Sequence, residues 1–100
     1  MIYRIDIRPH AIEDIEEIVD YIEYELFSPM AAQRFLDGLD TKINSLRLHA
    51  NVFAISTYKD VLKYDVFARH VIYKEFAVIY SIHGNWVVVH RVIHGSLIKG

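Results

Sequence analysis

The chain has 100 residues and a mass of 11.7 kDa, with 53% apolar and 24% charged residues, which excludes a two-domain enzyme, a disordered tail and a fibrous repeat. It contains no cysteine, so a disulfide scaffold, a thiolate zinc site and a cysteine nucleophile are excluded together, and the composition fits the cytoplasm. The net charge of −2 conceals a split: residues 1–40 carry ten acidic against three basic side chains, while residues 41–100 carry eight basic against three acidic ones and five of the six histidines.

Residues Ile2 to Ile7 alternate, Ile2, Arg4 and Asp6 against Tyr3, Ile5 and Ile7, which predicts a half-buried first strand. Pro9 suits the first turn of a helix. Ile12, Ile15, Val19, Ile22 and Leu26 then recur at spacings of three and four, with acids on the other side, which predicts an amphipathic helix. Ser28-Pro29 is a cap followed by proline at the first helical position and predicts a second helix to about His49, with Ala32, Phe35, Leu36, Leu39, Ile43 and Leu46 as its apolar stripe. So short a link folds the two helices into an antiparallel hairpin. Periodicity fails from Ala50 to about Asp65, where aromatics are scattered. Arg69 to Tyr73, Phe76 to His83 and Trp86 to His94 then read as three antiparallel strands, the last two joined by the turn residues Gly84-Asn85. The predicted order is β-α-α-β-β-β in a single domain, 1–100: an α+β fold with an antiparallel sheet and the helical hairpin packed on one face.

If Gly84-Asn85 is the whole turn, one face of the last hairpin carries the pairs Ile82–Val87, Tyr80–Val89, Val78–Arg91 and Phe76–Ile93. This is the face for the helices to cover. Arg91 then needs an acid or solvent, since an isolated buried charge costs several kcal/mol; the carboxylates of the first helix are candidates for a structural ion pair. The opposite face carries His83–Trp86, Ser81–Val88, Ile79–His90, Ala77–Val92 and Glu75–His94, with His70 beside Ile79 if Lys74-Glu75 is also a two-residue turn. That face is either simply solvated or a binding groove of His70, His83, Trp86, His90 and His94.

Chemistry narrows from there. His90 and His94 lie about 13 Å apart along a strand, too far to share an ion that needs ligands at about 2 Å, so no metal is expected. His94 opposite Glu75 is a candidate general acid/base, or a surface histidine with a chance neighbour. The four glycines build no phosphate loop and no serine sits in a nucleophile elbow, so no cofactor is expected. The basic residues of the second half are too spread to form a stripe for phosphates, and no specific DNA binding is expected. No apolar stretch approaches the ~18 residues that span a bilayer, and the first residues lack the form of a signal peptide; a soluble cytoplasmic protein without a membrane partner is expected.

The first strand running into RPHAIEDIEEIVDYIEYEL, the second helix SPMAAQRFLDGLDTKINSL and the hairpin FAVIYSIHGNWVVVHRVIHG, with Arg91 to Gly95 inside it, resemble the RelE/ParE superfamily of toxins from bacterial type II toxin-antitoxin systems over essentially the whole chain. The resemblance implies a helical hairpin on a small antiparallel sheet and a cognate antitoxin that masks the working surface. It also implies one of two activities. RelE-like members cleave mRNA on the ribosome with basic residues of the sheet, whereas ParE-like members inhibit DNA gyrase by protein contact. The penultimate-strand position where the RelE-like arginine stands is Ala77 here, and Gly95, Ser96 and Leu97 follow His94. Those departures favour the ParE-like branch, with His94 catalytic only in the ribonuclease alternative and a non-toxic interaction module as the third reading.

Overall fold

In a computed structural model, which describes residues 1–99, the chain forms β1 (Arg4–Ile7), α1 (Pro9–Asp20), a π-helical turn (Tyr21–Glu25), α2 (Pro29–His49), α3 (Lys59–Leu62), β2 (Arg69–Tyr73), β3 (Phe76–His83) and β4 (Trp86–His94). This is the expected α+β order, with the short α3 added inside the aperiodic stretch and a first strand shorter than the alternation suggested. Ser28 caps α2 as read from the sequence: its Oγ accepts the Ala31 N–H at 3.3 Å, and Pro29 opens the helix. The apolar spacing of α2 buries Phe35, Leu39, Ile43 and Leu46 against Val71, Val78, Tyr80, Val87, Val89 and Val92 of the sheet. Gly38 permits a close approach to Tyr73. Any Cβ there would overlap the Tyr73 hydroxyl, which donates to the Phe35 carbonyl at 3.0 Å.

The strands lie in the order β1-β4-β3-β2. The two hairpins are antiparallel, but β1 runs parallel to β4, with Ile5 against Val87 and Ile7 against Val89, so the sheet is mixed. The helical hairpin supplies the crossover that a parallel neighbour needs. The α1 stripe is also turned from the one expected. Ala11 and Asp14 are buried whereas Ile12 and Leu26 are exposed, because α1 leans on β4 as well as on α2.

The largest departure is in register. Four pairs next to Gly84-Asn85 are as expected, from His83–Trp86 to Tyr80–Val89, and then a β-bulge intervenes. Beyond it Ile79 faces Arg91, Val78 faces Val92, Ala77 faces Ile93 and Phe76 faces His94. The expected pairs Ile79–His90, Val78–Arg91, Ala77–Val92, Phe76–Ile93 and Glu75–His94 are all displaced by one, with His90 as the extra residue. The bulge falls where β4 loses its outer neighbour. β1 ends opposite Val89, and the Arg8 N–H makes the last bond to the Val89 carbonyl at 3.0 Å. The next free donor, Val92 N–H, is taken by the Asp14 carboxylate at 2.9 Å. A side chain of α1 thus continues the ladder that the strand abandons.

Candidate functional site

The histidine-rich outer face of the sheet is not left open by the fold, which corrects the expectation of a free groove. The segment from Tyr58 to Ala68 folds over its middle, while Phe53 packs on the inner core. Val61 of α3 and Ala68 are fully buried against Ile79 and Ile93, with Tyr64 and Ile98 packed at the rim, forming a second small core. Two hydrogen bonds fasten this cover: Ser56 N–H donates to the Ala68 carbonyl at 2.8 Å, and Lys99 N–H donates to the Asp60 carboxylate (Oδ2) at 2.9 Å.

At one end of the cover Asp65 gathers two of the histidines. Its Oδ1 accepts the Phe67 N–H at 2.8 Å, and its Oδ2 lies 2.9 Å from His83 Nε2 and 3.9 Å from His90 Nε2. His90 Nε2 is in turn 2.7 Å from the hydroxyl of the buried Ser81. Burial alone would raise the Asp65 carboxyl, but the Phe67 N–H and His83 outweigh it and hold the group below its ordinary value. Burial pushes the His90 imidazole down, opposed in part by Asp65, so at neutral pH the ring is uncharged beside an ionised carboxylate. A serine, a histidine and an aspartate therefore meet here, but they are not wired as a nucleophile relay. In a relay the acid and the hydroxyl hold opposite ring nitrogens; Ser81 and Asp65 both approach Nε2.

The other sequence-derived candidates are scattered. His70 does lie opposite Ile79, with its ring edge-on to Tyr58 at 6.1 Å, and burial lowers its imidazole too. Trp86 stacks beneath the Arg4 guanidinium at 5.7 Å. His94 sits at the far end of β4, its Nδ1 2.7 Å from Ser96 Oγ and its ring 5.6 Å from that of Phe76. Glu75 meets this end of the strand through its backbone, its carbonyl accepting Gly95 N–H at 2.7 Å. His83 and His90 are brought together. His70, Trp86 and His94 are not, so the five residues do not line one groove.

Arg91 forms a two-point ion pair with Asp14, Nε to Oδ2 at 2.7 Å and Nη2 to Oδ1 at 2.9 Å, and its guanidinium also lies 5.6 Å from the Tyr64 ring centre. One residue thereby joins α1, β4 and the outer cover. Sequence reasoning pointed to the first helix without choosing among its acids. The signal was present: Asp14 is spaced three from Ala11 and four from Ile18, on the buried stripe where an acid needs a partner. Asp65 and Ser81 carried no comparable signal, since their roles depend on how the aperiodic segment folds back.

Described as the ParE toxin of type II toxin-antitoxin system, parDE, one family model matches residues 5–98 of this chain. The chain belongs to the ParE toxin family. A solved structure described as the chromosomal ParDE TA system from P. aeruginosa is similar in fold, with a TM-score of 0.75 at 16% sequence identity, over 93% of this chain and 96% of that one. No curated protein matches the sequence significantly. The ParE family match takes in β1 from Ile5 onward, both long helices, the outer cover and the last hairpin, so the Asp14–Arg91 joint and the Asp65 cluster lie within the toxin domain itself. Among the described residues of this ParE chain, no helix is long and apolar enough to cross a membrane.

Proposed function

We propose that this ParE-family chain acts as the toxin of a type II toxin-antitoxin pair, inhibiting DNA gyrase by protein contact in the cytoplasm and neutralised by a cognate antitoxin. The family match over residues 5–98 supports the toxin reading. The similarity in fold to a structure described as a ParDE system supports an antitoxin partner. The observation that carries contact rather than cleavage is the state of the strand position where a nuclease of this fold has its cation: Ala77 is fully buried opposite Ile93. Cleavage of RNA requires a charge to stabilise the phosphate in the transition state, and a buried methyl group offers none. His94, the candidate acid/base, is engaged with Ser96 and Phe76. His83, Trp86 and His94 are exposed and remain candidate contacts for the antitoxin or target, whereas His70 and His90 serve the packing of the outer face.

The test pairs two assays on the purified full chain. Inhibition of gyrase supercoiling, relieved by the product of the neighbouring gene, is the expected result. Ribosome-dependent mRNA cleavage that disappears in His94→Ala would replace this reading with the ribonuclease one, and inertness in both assays would favour a non-toxic interaction module.

A further inference from the structure

The turn between the long helices is built against the preferences of its own residues. α1 runs through the π-helical turn to Leu26, whose N–H reaches the Tyr21 carbonyl at 3.2 Å, and Ser28 N–H closes back on the Ile22 carbonyl at 3.3 Å. Phe27 between them has φ +52°. It occupies the left-handed position that ends a helix, which glycine normally fills because a Cβ is strained there. The fold draws no packing from the ring in exchange: Phe27 is 87% exposed. Beside it Tyr24 and Met30 are 66% and 68% exposed, and Tyr21 and Leu26 extend the same apolar tip. A strained backbone, a π-helical turn and a cluster of large apolar side chains in water coincide at one place, and each is a feature that structural stability disfavours.

Charge narrows the occupant. From Asp20 to Met30 the chain has three acidic residues and no lysine or arginine, and Lys74, which lines a pocket with Tyr21 and Leu26, has Glu75 beside it, so nucleic acid and anionic lipid surfaces are repelled from the tip. We propose that the tip of the helical hairpin, centred on Phe27 and Tyr24, is a docking site for a protein segment whose apolar side chains are flanked by lysine or arginine. The apolar residues bury the two rings while Glu23, Glu25 and Asp20 meet the cations. The site is separate from the outer face of the sheet and does not depend on gyrase being the target.

The probe is a synthetic Leu/Lys amphipathic peptide, with a Leu/Glu peptide of the same pattern as its counterpart, titrated into the full chain and followed by amide chemical shifts. The Leu/Lys peptide should bind with its shifts centred on residues 21–30, and the Leu/Glu peptide should not bind. Phe27→Gly and Tyr24→Ser should each weaken binding roughly tenfold or more, as anchors at the centre of a contact do. Phe27→Gly should melt no lower than the parent, because glycine relieves the left-handed strain. Undiminished binding by Phe27→Gly would mean that charge alone attracts the peptide and would overturn the proposal. So would shifts centred elsewhere, or a clear fall in melting temperature showing that the ring serves the fold.

Discussion

The two faces of the sheet are sealed by different means. The inner face is covered by α2, a long helix whose regular spacing sends Phe35, Leu39, Ile43 and Leu46 into one continuous core. The outer face is covered by a short aperiodic segment that buries little beyond Val61 and Ala68 and is held at its end by a carboxylate among imidazoles. A cover with few buried apolar side chains opens at lower free energy than the core it shields. The inner face is therefore the stable platform, and the outer face is the part that conditions can loosen. Arg91, bonded to Asp14 on one side and lying over Tyr64 on the other, ties the two together.

That joint carries the largest expected effect. Asp14→Ala leaves a largely buried guanidinium without its partner and the Val92 N–H without its acceptor. Breaking a buried pair on one side costs about 3–5 kcal/mol, which urea denaturation would measure. Asp14→Ala combined with Arg91→Met should cost much less than the sum of the two single changes, since no charge is then stranded. A single-variant loss below about 1 kcal/mol would reclassify the pair as a surface ion pair.

Second in size is Tyr80, whose hydroxyl reaches from the inner face to the Ala50 carbonyl at 2.6 Å, both residues being fully buried. Burial pushes this phenol up to about 12, so it remains a donor at any pH at which the protein is handled. Tyr80→Phe strands the carbonyl and should cost about 1–3 kcal/mol. The same variant should leave hydrogen exchange in the outer cover unchanged relative to global unfolding.

How much of this was legible in the sequence follows from the same contrast. The cap at Ser28, the length of α2 and the bounds of β2, β3 and β4 could be read because each is set by local chemistry: a hydroxyl before a proline, a repeat of three and four, a two-residue turn. The bulge could not. It depends on where β1 ends opposite Val89 and on Asp14 taking over the next donor, two facts that belong to different elements. The parallel placement of β1 was hidden for a similar reason, since alternation in a four-residue strand carries no information about which neighbour it joins. The gathering of Asp65, His83 and His90 depends on the path of a segment without periodicity, so the sequence alone suggests a row of histidines where the cover in fact takes up His70 and His90.

A third change acts on the cover alone. Val61→Ala removes two methyl groups from a fully buried site between α3 and the outer face, worth about 1–2 kcal/mol. Hydrogen exchange should accelerate across the segment from Tyr58 to Ala68 while α2 stays protected. Equal acceleration in both regions would show that the two faces open as one unit and would dissolve the distinction drawn between them.

The smallest effect is a dependence on pH, and it should also be confined to the outer face. The groups around His90 are Asp65 and His83 on its open side, Asp6 and Arg8 from β1 and the start of α1, and the buried Ser81 hydroxyl. With its closed-state value pushed below 6.5, chiefly by burial, His90 binds a proton more readily when the cover is open. Its contribution is complete above that ordinary value and is lost as the pH falls from there toward the depressed one. His70, depressed by burial as well, works in the same direction. Asp65 is depressed below 3.8, so what it contributes persists through that window and is lost only in stronger acid. Hydrogen exchange in the cover, taken relative to the intrinsic amide rate at each pH, should therefore rise in two separate stages on acidification, and His90→Gln should shrink the first while sparing the second. If the cover instead became better protected between about pH 7 and pH 5, the protonated ring would have to be pairing with Asp65 in the closed state, and the attraction between them would outweigh the burial that sets them apart here.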